Sequence, residues 1–144
     1  MNATNDQIQQ ILHQSRTIAV VGLSGESSRP SFSVSHYMQS HGYRIIPVNP
    51  RYAKEGSLIL GEKCYAELTD IDVPIDIVDV FRRSENVLPI AKQAVAIGAR
   101  CLWQQMGIIN LEAHDLAQAA GLLSVMERCI KVDHADLLNG AIQS

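Results

Sequence analysis

Five short runs of branched apolar residues recur along the chain, and stretches with helical spacing lie between them. The runs are Thr17-Ile-Ala-Val-Val, Tyr43-Arg-Ile-Ile-Pro-Val, Ile75-Asp-Ile-Val-Asp-Val-Phe, Cys101-Leu-Trp-Gln-Gln-Met and Leu122-Leu-Ser-Val-Met. Unbroken apolar runs of strand length suit strands covered on both faces. Helical crossovers between such strands make them parallel. The pattern therefore predicts an α/β fold, a doubly wound parallel sheet of five strands. The expected strand order is 3-2-1-4-5, which sets the first strand-to-helix loop at the centre of any ligand site. At 144 residues, the chain is expected to form one domain over 1–144, its core covering about 17–132.

Local signals mark the helices. Thr4 and Gln7 form a capping box ahead of Ile8, Ile11 and Leu12. A second helix runs to about His41 and stops at Gly42, with Val34, Tyr37, Met38 and His41 on one face. Ser84 is placed to cap a helix that ends at Gly98, with Pro89 tolerated near its first turn. Asn110 caps the next helix, which stops at Gly121, and a last helical turn or two is expected after Asp133. Residues 51–69 show little periodicity and read as a long connection.

Composition removes several function classes. Twelve Lys and Arg against 15 Asp and Glu leave a net charge of −3, so no basic excess favours nucleic acid. No apolar stretch is long enough to span a bilayer, and Met1 to Gln7 lacks the features of a signal peptide. Cys64, Cys101 and Cys129 are odd in number and far apart, which fits reduced thiols better than a disulfide or zinc framework. The expectation is a cytoplasmic protein that engages neither nucleic acid nor membrane, with no metal site; the sequence names no protein partner.

The ends of the strands carry the chemistry. Gly22 and Gly25 allow a tight turn and close approach of a ligand, and the helix after them offers unpaired N–H groups to an anion. Ser24, Ser27, Ser28 and Ser31 add hydroxyls, and Arg29 adds charge. Gly and Ser are also what an ordinary strand-to-helix turn contains, so spacing alone leaves phosphate binding and a plain turn equally open. Spacing does discriminate among nucleotides. A dinucleotide fingerprint requires a glycine where Ser24 stands and a carboxylate ending the second strand, where Val48-Asn49-Pro50 has none. No Gly-Lys-Ser/Thr occurs either, which excludes a P-loop.

Ala19-Val-Val-Gly-Leu-Ser, Arg29-Pro-Ser, Gly42-Tyr-Arg-Ile-Ile-Pro-Val-Asn-Pro, Asp76-Ile-Val-Asp-Val-Phe-Arg-Arg and Trp103-Gln-Gln-Met-Gly follow one another in order. Together with Leu60-Gly-Glu-Lys-Cys-Tyr and Val125-Met-Glu-Arg-Cys, they resemble the small stand-alone CoA-binding protein family. That family is similar to the N-terminal, CoA-binding domain of the succinyl-CoA synthetase alpha subunit. The resemblance covers about 17–132 and implies a Rossmann-type domain with coenzyme A, or an acyl-CoA, as the ligand. It implies that Ser24, Gly25 and Arg29 hold the CoA phosphates, with Gly25 standing where relatives often have proline. It further implies that Val48, Asn49 and Pro50 lie along the adenosine, with Arg51 and Lys54 available to phosphate. Phe81 and Arg82 would line the nucleotide, and Gln104 would stand near the pantetheine arm. With Gly22 and Ser31 from the loop, these residues make up the expected site.

No histidine among His13, His36, His41, His114 and His134 ends a strand, so no catalytic residue is expected. Asp76 and Asp79 lie three apart on a strand and face opposite sides, which rules out a paired acid and base. Asp79 is expected to be a buried or edge carboxylate with a backbone partner. Cys129 is expected to close the last strand as a small apolar residue, and Trp103 to lie in the core. The reading is a CoA-binding module without catalysis of its own. The alternatives are an NAD(P)-dependent oxidoreductase-like enzyme, which the missing fingerprint argues against, and an interaction protein whose nucleotide reports metabolic state.

Overall fold

The computed structural model describes residues 2–139. The chain runs through α1 (Asn5–Gln14), β1 (Thr17–Val21), α2 (Pro30–Ser40), β2 (Arg44–Val48) and α3 (Pro50–Glu55). A small hairpin, β3 (Leu58–Ile59) with β4 (Glu62–Lys63), leads to β5 (Ile77–Val80) and α4 (Val87–Ala96). Then come β6 (Cys101–Gln104), α5 (Leu111–Ala119), β7 (Leu123–Val125) and α6 (Ile130–His134). Pairing among the five longer strands is parallel throughout.

Alternate residues of each strand supply two separate cores, which is why the strands read as continuous apolar runs. Ile18, Val20, Ile45, Ile77, Trp103 and Val125 point to the face covered by α1, α2 and α6. Ala19, Val21, Ile46, Val78, Val80 and Leu102 point to the face covered by α4 and α5. Helices on both faces make the sheet doubly wound, as expected. Alanines on the buried sides of α4 (Ala91, Ala94) and α5 (Ala113, Ala117) let those helices lie close to the strands and to one another.

The order across the sheet is β2-β1-β5-β6-β7. The expected third strand, now β5, does not lie outside β2; it pairs with β1 on the side away from β2. The outer edge of β2 is taken instead by Tyr65, in an isolated parallel bridge to Val48. Its N–H donates to Pro47 O at 3.0 Å and its carbonyl accepts from Asn49 N at 2.8 Å. Counting that bridge as a vestigial third strand restores the order 3-2-1-4-5 across the sheet, with β7 as a sixth. The Rossmann order is kept, but its third place belongs to the connection after β2.

The Thr4–Gln7 capping box and the Asn110 cap form as the sequence predicts. Ser84 does not cap α4. It begins a 3-10 turn, and its Oγ accepts from Ile109 N at 3.0 Å, so it ties the turn after β5 to the loop after β6. Pro89 lies in the first turn of α4, where a missing N–H leaves no bond unmade. Cys129 caps α6 and is half-buried rather than closing a strand. Trp103 is fully buried, and its indole N–H donates to Arg128 O at 2.7 Å. No helix among the described residues is long and apolar enough to cross a membrane.

Candidate functional site

The carboxyl ends of β1, β2 and β5 open onto a cleft of about 700 Å³. That size falls within the roughly 300–1,000 Å³ of small-molecule sites. Gly22, Ser24, Arg29, Ser31, Asn49, Phe81 and Arg82, seven of the expected site residues, line it together. Val48 and Pro50 line instead a neighbouring groove of about 310 Å³, and Arg82 forms part of both walls. Gln104 reaches neither. It is fully buried, its amide donating to Asn110 O at 3.1 Å and accepting from Asn110 N at 2.8 Å. Its work is to hold the start of α5.

Hydroxyls and one amide shape the loop after β1. Ser31 Oγ accepts from Ser24 N at 3.0 Å, and Ser24 Oγ accepts from Glu26 N at 3.1 Å. Asn49 donates through Nδ2 to Leu23 O at 3.1 Å and accepts at Oδ1 from Arg51 N, which caps α3. The amide in the place of a ribose carboxylate is therefore spent on stitching β2 to the loop. Gly22 is the residue that the turn demands. Its φ is +90°, and a Cβ there would lie 2.2 Å from the carbonyl oxygen of Phe81. Gly25 has no positive φ; a Cβ there would instead meet the Tyr52 ring at 3.0 Å.

Tyr52 was not visible as a site residue, because α3 is a short helix inside a segment without periodicity. Its ring flanks Gly25, its hydroxyl lies 3.5 Å from Ser24 Oγ, and Arg51 packs over its face at 5.2 Å. Arg83, Glu26 and Ile108 complete the lining.

Four arginines border the cleft, and they are not equivalent. Arg29 is exposed and pairs with Glu26 at 3.1 Å, and Arg51 reaches Glu55 only at 4.0 Å. Such exposed pairs contribute little and are readily exchanged. Arg82 is half-buried at the base of the cleft, and its guanidinium has no ion-pair or hydrogen-bond partner among the described residues. Burial alone pushes its pKa down. A cation held in that state favours any anion that enters. The N-terminus of α2, with Pro30 and Ser31 in the wall, adds a partial positive charge.

The carboxylates that invite an acid–base reading lie elsewhere. Asp76 accepts from Arg16 N and Thr17 N at the amino edge of the sheet. Asp79 is buried in the core, and its partner is the Gln105 side chain at 2.5 Å, not a backbone group. His114 bonds Ser124 Oγ, and His134 bonds the Tyr37 hydroxyl. None of these groups lines the cleft.

A model of the CoA binding domain matches residues 16–135. The chain belongs to that family. The uncharacterized protein YneT of Bacillus subtilis (strain 168) is 44% identical over 134 residues, covering 93% of this chain and 96% of its own. A solved structure from Thermus thermophilus superimposes with a TM-score of 0.89 at 34% identity, over 94% of this chain and 100% of the other. A hypothetical protein from Pyrococcus horikoshii OT3 gives 0.88 at 37% identity, over 94% and 93% of the two chains. The CoA binding domain thus accounts for most of this chain, and its relatives share both the fold and nearly the whole length.

Proposed function

We propose that this CoA-binding-domain protein holds coenzyme A or an acyl-CoA in the cleft at the carboxyl ends of β1, β2 and β5, as a binding or sensing module without catalysis. The observation that carries the reading is the half-buried Arg82 guanidinium, which faces the cleft with no carboxylate partner among the described residues. CoA brings a pyrophosphate and a ribose phosphate, and it needs several cations and no ribose carboxylate. Arg82, Arg83, Arg29 and Arg51 supply those cations, and the N-terminus of α2 faces the same space. Tyr52 offers a ring to the adenine, beside the groove where Val48 and Pro50 lie.

Isothermal titration with CoA, NAD, NADP and ATP is expected to rank CoA tightest. NAD suffers because Asn49, whose amide is already used twice, cannot receive the ribose hydroxyls as a carboxylate would. NAD binding as tight as CoA would overturn the assignment.

Arg82→Ala is expected to weaken CoA binding about tenfold or more, the cost of a charge-assisted contact in a partly dry site. Arg29→Ala loses less, because Arg29 is exposed and already shared with Glu26. Arg100→Ala leaves affinity within about twofold. Arg100 sits at the amino end of β6, where its Nη2 donates to Gln14 Oε1 at 2.9 Å. Equal losses for Arg82→Ala and Arg100→Ala would put the site at the wrong end of the sheet.

A further inference from the structure

From Gln104 to Leu111 the chain carries no charged residue, and this stretch leaves β6 beside the arginine-rich cleft. Ile108 lines the cleft itself. On either side of it Met106, Ile109 and Leu111 are 65%, 45% and 63% exposed. Three exposed large apolar side chains flanking a residue that lines the cleft call for an occupant. The loop that presents them is anchored. Ile109 N donates to Ser84 Oγ at 3.0 Å, Asn110 Nδ2 donates to Ser84 O at 2.8 Å, and Asn110 is locked to buried Gln104. A loop tied at three points holds its side chains out before any ligand arrives, so the ordering cost of binding there is small.

Resting on the CoA reading of the cleft, we infer that this rim receives the acyl group of a CoA thioester, and that the ligand class is acyl-CoA with an apolar chain of several carbons. The distribution of charge sets the direction. Phosphates seek Arg82, Arg83, Arg29 and Arg51, and the adenine has a ring partner at Tyr52 on the β2 side. The uncharged arm then runs toward the opposite wall, where Ile108 leads onto the exposed apolar side chains. A cationic cleft continuous with a neutral apolar rim matches a molecule with a polyanionic head and a hydrocarbon tail. A second copy of the chain would match the rim and leave the arginines unused.

The test is titration of the full chain with CoA, acetyl-CoA and octanoyl-CoA, below the micellar concentration of the last. A fully buried methylene is worth about fourfold in affinity, and a rim that covers one side of the chain about half that in free energy, or about twofold. Octanoyl-CoA, with about six more methylenes, is therefore expected to bind about sixtyfold tighter than acetyl-CoA. In the double variant Met106→Ser and Leu111→Ser, that ratio is expected to fall to within about threefold, with an unchanged melting temperature because both side chains are exposed. Equal affinities for the three ligands, or the same ratio in the variant, would overturn the inference while leaving CoA binding intact. A dimer that the variant dissociates, with no dependence on chain length, would assign the rim to a second copy. Failure of all three ligands to bind would instead remove the CoA reading on which the inference rests.

Discussion

Gly22→Ala is expected to cost about 3 kcal/mol of folding stability and to weaken CoA binding as well. Two effects add at this position. A φ of +90° is a conformation that L-residues avoid, at about 1–2 kcal/mol. The new Cβ would also stand 2.2 Å from Phe81 O, and the oxygen belongs to backbone that cannot rotate away as a side chain would. Relief requires β1 and the turn after β5 to separate, although Phe81 N donates to Val21 O at 2.8 Å. Arg82 follows Phe81 directly, so the strain reaches the half-buried guanidinium that lines the cleft. Gly42→Ala separates the two effects, because Gly42 has a φ of +96° with nothing within 4 Å of its missing Cβ. Urea unfolding of both variants should show Gly42→Ala losing about 1 kcal/mol and Gly22→Ala clearly more. Equal losses would mean that close approach to Phe81 plays no part, and that any glycine-compatible turn would serve at the cleft.

The five long strands were legible because each is buried on both faces and so reads as an uninterrupted apolar run. Where the third of them would pair was not. The choice between the outer edge of β2 and the free edge of β1 depends on the connection between 51 and 69, whose structure includes a six-residue helix, a hairpin of two two-residue strands and one bridge at Tyr65. None of these is long enough to impose a period, and a bridge of one residue pair has no sequence signature. The strand nevertheless counts topologically, since it occupies the edge that β5 would otherwise have taken.

The candidate cleft was legible for a different reason. In a doubly wound sheet the ligand lies beyond the carboxyl ends of the strands, so finding the strands locates Gly22, Asn49, Phe81 and Arg82 without any motif. Residues placed by that rule line the cleft together. Gln104 satisfies the same rule and still misses the cleft, because a buried amide must find partners and Asn110 supplies both. Ser84 failed as a helix cap on the same ground, its hydroxyl being taken by Ile109 N. Competition among hydrogen-bonding groups that lie far apart in sequence is what a linear reading cannot resolve. Gly22 and Gly25 show the same limit, since only one of them faces a carbonyl across the sheet.

Asp79→Asn is expected to stabilise the protein above neutral pH, by on the order of 3 kcal/mol, and to change little at pH 4. Asp79 sits on β5 between Val20 of β1 and Trp103 of β6, 1% exposed, with the Gln105 amide as its hydrogen-bond partner. Burial raises its pKa from 3.8 to about 7, and the Gln105 bond opposes that rise only in part. The folded chain thus keeps a proton that the unfolded chain releases near pH 4. The stabilisation from that proton is complete below pH 4 and is lost as pH rises toward 7, the reverse of an ion-paired carboxylate. Above pH 7 the native protein must hold a charge in its core with one amide for company, and the nearby Cys101 thiol is pushed up both by burial and by that charge. Asparagine keeps the shape and still accepts from Gln105 through Oδ1, so it removes the charge without opening a cavity. Urea midpoints of both proteins at pH 4.5, 6 and 8 would test this, with the gap between variant and parent widening as pH rises. A gap that stayed constant would mean that folding does not shift the Asp79 pKa, and one that widened toward acid would mean that the folded protein draws stability from its charge.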